Sequence, residues 1–128
     1  MIDIVDDVVA VCKSVEALNG HVYRRWPKVS RKTPMPACLV SRVGSNPVFT
    51  DADGSEVVVR LTYSVDVNAE SQEEADGIAE QVVDGLARYN LHRTGFTDFY
   101  DDVLKVYRII ITVTGTIDKR GNTFTRGN

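Results

Sequence analysis

The sequence predicts an α+β fold: a mostly antiparallel sheet of about four strands with a projecting β-hairpin, and two main helices packed on one face. Apolar and polar residues alternate over 57–68, and period two indicates a strand with one buried face. The same alternation recurs over 106–118, so we expect these strands to pair or lie side by side. Ser71 and Glu74 have the spacing of a capping box, and an apolar pattern of period 3.6 follows over 72–89. A sheet covered by helices accounts for all three observations.

The N-terminal part begins with a second helix. Apolar residues recur at helical spacing over 3–18, and Asn19-Gly20 supplies a C-terminal stop. Residues 21–36 form a connector interrupted by prolines, in which Val22-Tyr23 can add a short edge strand. Residues 37–43 are predicted as a strand.

The middle of the chain is predicted to form the projecting hairpin. Residues 44–47 are expected to turn, and residues 48–50 start a further strand that reverses at Asp53-Gly54 into the long strand. Residues 90–102, which are polar and aromatic, are predicted as a loop. Gly77 and Gly85 lie inside the long helix, where each disfavours helix by up to about 1 kcal/mol relative to alanine, so we expect close packing on the sheet there.

Length and composition predict a single domain over residues 1–118 and a flexible C-terminal tail over 119–128. The chain is 43% hydrophobic and 26% charged, which is typical of a globular protein, and its net charge of -3 argues against nucleic-acid binding as the main function. Cys12 and Cys38 are not in a C-x-x-C arrangement and are interpreted as buried free thiols in a reducing compartment. With no signal peptide or spanning segment evident, we expect folding in a cytosol and no membrane partner.

Charge is unevenly distributed along the chain. The connector carries five basic residues and no acid, and the acidic excess falls elsewhere. Because Tyr23 and Trp26 lie among these cations, the connector could bind nucleic-acid phosphates and stack bases. Its prolines and the acidic remainder of the chain favour an ordered protein-contact loop instead.

Two acidic clusters have competing interpretations. Asp51, Asp53 and Glu56 resemble part of a calcium loop, but the twelfth position from Asp51 is Thr62, inside a strand, so a plain hairpin turn is favoured. Residues 96–102 interleave three aspartates with aromatic residues. That cluster is either a solvated loop or a patch facing a partner or a divalent ion.

The chain has no pattern typical of an active site. His21 and His92 stand singly, without a serine or cysteine in a nucleophilic pattern, and there is no glycine-rich phosphate loop or H-E-x-x-H motif. We therefore expect no enzymatic activity, no cofactor and no metal site. The polar faces of the long strands, with Arg60, Asp66 and Arg108, are either solvated or meet a neighbouring subunit.

Several of these segments together resemble a known family. They are His21-Val22-Tyr23 with Pro27, the Met-Pro-Ala-Cys-Leu-Val sequence at 35–40, residues 65–71 leading into Glu74-Ala75, and the closing strand at 107–113. Taken in order, they resemble the tail terminator, or tail completion, proteins of long-tailed bacteriophages, also called head-to-tail joining proteins. The resemblance extends from the N-terminal helix to about Asp118.

The resemblance implies a virion structural protein that assembles in the bacterial cytoplasm as a six-membered ring. Such a ring caps the finished tail tube, binds the tail tube protein and the head-tail connector protein, and lets DNA pass without sequence-specific binding. A head-closure or neck protein of the same particle, or a small α+β ligand-binding domain, are the alternatives. The candidate interface residues are Arg24, Arg25, Trp26, Lys28, Arg31 and Lys32 of the connector, Phe49, Asp51 and Asp53 of the hairpin, and Asp98, Asp101 and Asp102 of the acidic cluster.

Overall fold

The computed structural model describes residues 3–25, 34–50, 52–54, 56–118 and 123–124. Two α-helices, a short 3-10 helix and six strands are formed within these ranges. In chain order they are α1 (Val5–Lys13), the 3-10 helix Glu16–Leu18, β1 (Val22–Tyr23), β2 (Ala37–Thr50), β3 (Glu56–Ala69), α2 (Gln72–Ala87), β4 (His92–Asp101), β5 (Val106–Asp118) and β6 (Thr123–Phe124).

The strands form one sheet in the order β1-β2-β3-β5-β4, and β6 also pairs with β5. Only β1 runs parallel to its neighbour, and every other pairing is antiparallel. The predicted α+β class is therefore confirmed. So is the pairing of the two long strands, whose register runs without a break from Val58 opposite Asp118 to Ala69 opposite Tyr107.

The core lies between one face of this sheet and the two helices. Alternate residues of β3 and β5 are fully buried there, as the period-two pattern predicts, because both strands direct every second side chain towards the helices. Burying each such side chain favours folding by about 1.5–3 kcal/mol. The buried residues are Val59, Leu61, Tyr63, Val65 and Val67 of β3 and Ile109, Ile111, Val113 and Ile117 of β5.

Both helices occur where the sequence predicts them, with shorter bounds. The Ser71 side chain accepts a hydrogen bond from the Glu74 amide at 3.2 Å, which confirms the predicted N-cap of α2. The predicted N-terminal helix is divided, because α1 ends before Ser14 and the 3-10 helix follows. Asn19 and Gly20 have positive φ angles of 48° and 78°, consistent with the predicted stop.

Two segments predicted as a turn and a loop are strands. Residues 44–47 continue β2 without turning, and the irregularity is absorbed by register shifts beside Gly44 and Pro47. Pro47 lies beside one of these shifts on a strand whose outer side is open in the described part of the chain, and edge strands and bulges are the places where a sheet accepts proline. Residues 92–101 form β4 rather than a loop, because at the opposite edge the aspartates reach solvent while the backbone pairs with β5.

The two helix glycines differ from each other. A Cβ at Gly85 would lie 2.7 Å from Cγ1 of Val11, so the close contact is with α1 and not, as predicted, with the sheet. At Gly77, a Cβ would have no neighbouring atom within 4 Å. Within the described ranges, neither helix is long and apolar enough to span a bilayer. Of the predicted C-terminal tail, only Thr123–Phe124 is described, and it pairs with Thr116 and Ile117 of β5.

Candidate functional site

A groove of about 310 Å³ lies between α2 and the edge strand β4. Ala79 and Val83 of α2 and Phe96 of β4 form its apolar surface. Phe96 is 48% exposed, because α2 packs more extensively on β5 than on β4. The groove is therefore an apolar surface left open at one edge of the sheet.

Three carboxylates line this groove along α2. Asp76, Glu80 and Asp84 recur every four residues, a spacing that places side chains one above another on one helix face. All three residues are exposed, and none forms an ion pair with any part of the chain that the structure describes. Asp76 accepts a hydrogen bond from Gln72 at 2.9 Å. The wall of the groove is consequently a row of negative charges.

One cation lines the opposite side. The guanidinium of Arg93 lies 5.5 Å from the centroid of the Phe96 ring, within the range of a cation-π contact. With three carboxylates against one guanidinium, the groove is acidic overall. Its shape and charge suit a ligand that is both apolar and cationic.

A second polar cluster is built on the outer face of the sheet. Asp66 is 6% exposed and accepts hydrogen bonds from Nε and Nη2 of Arg108, and Nη1 of Arg108 donates to Asp101 at 3.1 Å. Asp66 raises the pKa of Arg108 above its ordinary value through these hydrogen bonds. The Phe99 ring centroid lies 5.2 Å from the same guanidinium. The Asp66 carboxylate on this polar face is therefore buried and paired within the chain, whereas the Phe99 ring beside it stays 40% exposed.

Asp101 is fixed by its own turn as well as by Arg108. Its carboxylate accepts from the backbone N–H groups of Val103 and Leu104, both at 3.0 Å. The hydrogen bond from Leu104 is the main reason that the pKa of Asp101 lies below its ordinary value, and Arg108 and Val103 lower it further. The interpretation of Asp101 as part of a solvated loop is therefore wrong.

The outer cluster contains one unsatisfied buried atom. Asn68 is 1% exposed and donates from Nδ2 to Asp66, while its Oδ1 has no hydrogen-bond partner among the described residues. The amide thus helps to hold the Asp66 carboxylate against Arg108. The alternation over residues 57–68 predicts only that Asn68 lies on the polar face of the strand.

The remaining predicted interface residues are widely separated. Arg24 and Arg25 are exposed beyond β1, where Nε of Arg24 donates to the Val40 carbonyl at 3.2 Å. Phe49, 60% exposed, lies near the end of β2 and Asp53 in the exposed hairpin turn. Asp98 and Asp102 are exposed on and after β4. Trp26, Lys28, Arg31, Lys32 and Asp51 lie outside the described residues.

The structure therefore divides the predicted interface between two opposite edges of the sheet. Arg24 and Arg25 of the connector directly follow β1, whereas Asp98 and Asp101 of the acidic cluster belong to β4. The groove residues were missed, although the i, i+4, i+8 spacing of Asp76, Glu80 and Asp84 is visible in the sequence. That spacing is also typical of a solvated helix face, and only the position of β4 makes it one wall of a groove.

The two cysteines and the two histidines are not among the residues that line the groove. Cys12 and Cys38 are free and fully buried, which confirms their prediction as buried free thiols. A hydrogen bond with Cys12 and burial raise the pKa of Cys38. Nδ1 of His21 lies 3.2 Å from the Pro36 carbonyl, and His92 is exposed on β4. Within the described ranges, no three histidine, cysteine or acidic side chains are grouped to hold a metal ion.

No protein-family model matches the chain, and a search of curated proteins finds no match.

Proposed function

We propose that this chain is the tail terminator of a long-tailed bacteriophage. In this role it assembles in the bacterial cytoplasm as a closed ring of six copies, caps the finished tail tube and joins it to the head-tail connector protein. The ring is a structural part of the virion without enzymatic activity. DNA passes through it without sequence-specific binding.

The observation that carries this proposal is the pair of open edges on one sheet. On the outer sides of β4 and of residues 41–50 of β2, no strand pairs within the described part of the chain. Open edges with exposed apolar residues favour association with another chain. Because the edges differ and lie on opposite sides, they suit a head-to-tail contact, and such contacts form rings when the rotation between copies closes.

The hairpin formed by β2 and β3 supplies a further contact surface. Val48 and Phe49, near the tip of this hairpin, are 51% and 60% exposed. Large apolar side chains grouped at such a tip are typical of a surface that meets a partner. In the proposed ring, this tip contacts either the next copy or the last layer of the tail tube.

Tube growth tests the proposal directly. Tail tube protein of a long-tailed bacteriophage is polymerised with and without this chain, and tube lengths are measured by electron microscopy. We expect the chain to arrest growth and to remain bound at one end of each tube. Tubes of unchanged length with no added density at either end would refute the proposal.

The groove favours one candidate of a different class, a small ligand-binding domain. Its volume of about 310 Å³ is near the lower end of ligand pockets, which span roughly 300–1,000 Å³. Its acidic wall would select an aromatic cation. Calorimetric titration with such cations distinguishes the candidates, because saturable binding together with unaffected tube growth supports the ligand-binding domain.

A further inference from the structure

The groove between α2 and β4 is complementary in charge and shape to the basic connector. Its carboxylates border the apolar surface formed by Ala79, Val83 and Phe96, and Arg93 lies on the opposite side. The connector carries Arg24, Arg25 and Lys28 around Trp26, with no acidic residue anywhere from 21 to 36. A tryptophan flanked by cations suits an apolar groove flanked by carboxylates, because large aromatics and arginines are the residue types that most often anchor interfaces.

The connector of the same chain cannot reach this groove. Arg25 follows β1 and Pro34 precedes β2, so the eight residues between them could extend from these two ends by at most about half their own length, on the order of 14 Å. From β2 to β4 the sheet alone spans three strand spacings of about 4.8 Å each.

The helices lengthen the path further. α1 contacts β1 and β2, and α2 contacts β3, β5 and β4, so the two helices cover successive parts of the same face. Gly85 of α2 packs against Val11 of α1, whereas the groove opens on the other side of α2, towards β4. A connector from the same chain would have to cross two helices, each roughly 10 Å wide.

We propose that the groove binds the basic connector of a second copy of this chain, with Trp26 against Val83 and Phe96, and the flanking cations against Glu80 and Asp84. The contact rests on the proposed ring, and it names the two surfaces that form the ring interface. In each copy the connector follows β1 at one edge of the sheet, and the groove lies beside β4 at the other edge. The contact is therefore heterologous and repeats around the ring.

Complementary charge reversal tests this contact in the full-length protein. The groove variant combines Glu80→Lys with Asp84→Lys, and the connector variant combines Arg25→Glu with Lys28→Glu. Either variant alone should need a roughly tenfold or higher concentration to associate than the wild type, because each faces like charges across the interface. An equimolar mixture should associate again, since each groove then meets a connector of opposite charge.

Trp26 supplies a readout at the site because it is the only tryptophan in the chain. Its fluorescence should shift to shorter wavelength when the wild type or the mixture associates, and stay unshifted in each variant alone. The matched control combines Glu16→Lys with Glu74→Lys, which makes the same charge change at exposed positions outside the groove. This control should associate like the wild type, and thermal melts check that every variant is folded.

The outcomes separate this contact from the proposed function. If the groove variant alone associates like the wild type, or if the mixture fails to associate, the contact is wrong and the ring can stand. If the wild type stays monomeric with tail tube protein present, both are wrong. If charge reversal behaves as expected but tube growth continues, the contact stands and the tail terminator function is wrong.

Discussion

The hydroxyl of Tyr63 lies 2.6 Å from Oδ1 of Asp3 and joins the start of the chain to the middle of the sheet. The same hydroxyl accepts a hydrogen bond from the buried backbone N–H of Ile4 at 2.9 Å. Burial and the bond to Asp3 raise the pKa of Tyr63, so the hydroxyl remains a donor at neutral pH. Asp3 in turn pairs with Arg42 of β2 at 3.3 Å.

Removing this hydroxyl should destabilise the protein. Tyr63→Phe leaves the Ile4 N–H buried without an acceptor, and an unsatisfied buried group costs about 1–3 kcal/mol. We expect the free energy of unfolding in urea to fall by that amount. Tyr89→Phe, at an exposed tyrosine, is the control and should leave it unchanged. Equal stability of Tyr63→Phe and the wild type would contradict this role of the hydroxyl.

The Arg108 guanidinium is expected to be essential to stability because of Asp66. Arg108→Met leaves the buried Asp66 carboxylate unpaired, which costs about 3–5 kcal/mol. Adding Asp66→Asn to Arg108→Met should recover much of the lost stability, because the buried negative charge is then removed. Arg60 is exposed and lies on the same face of β3 as Asp66. Arg60→Met is therefore the control and should change the free energy of unfolding by less than about 0.5 kcal/mol. A double variant no more stable than Arg108→Met would refute the assignment.

Asp101 should make stability depend on acid pH. Its pKa in the folded protein is below the ordinary value of 3.8, so its stabilising contribution is present above the pKa of the unfolded chain and is lost as pH falls through the folded pKa. Asp101→Asn should therefore flatten the loss of stability below about pH 4. Urea unfolding at a series of pH values measures this. Asp102→Asn, in the same turn, should retain the wild-type profile, and an unaltered profile in Asp101→Asn would contradict the prediction.

Two glycine substitutions should have opposite effects. A Cβ at Gly115 would lie 2.7 Å from the Asn90 carbonyl oxygen and from a methyl of Leu91, and a backbone atom cannot move aside cheaply. We expect Gly115→Ala to lower the free energy of unfolding by about 1–3 kcal/mol. Gly77→Ala, with open space around it in α2, should raise it by up to about 1 kcal/mol. Thermal melts of both variants test this, and stabilisation by Gly115→Ala would contradict the packing.

The sequence predicts most of the sheet because one-sided burial leaves a period-two pattern. β3 and β5 show it fully, since one face of each packs under the helices. β4 does not, because it lies at an edge and exposes aspartates and aromatic residues on both faces. The prediction of a loop there failed for this reason, and the groove that depends on β4 could not be predicted either.

Individual side-chain contacts depend on strand register, which composition does not determine. Asp66 and Arg108 are 42 residues apart in the chain, and they meet because the pairing places Asn68 opposite Arg108, so that Asp66 lies diagonally across from it. The basic connector could be identified from charge alone. The acidic groove that it would bind requires α2 and β4 to be placed side by side.

The mass of the protein in solution tests the proposed ring most directly. Light scattering at rising concentration, with and without tail tube protein, should show a species near six times the monomer mass of 14.2 kDa. Replacing Val48 and Phe49 by serine should weaken this association or the binding to tail tube protein, without changing the melting temperature, because both side chains are exposed. A wild-type protein that remains at the monomer mass under every condition, including saturating tail tube protein, would contradict the account.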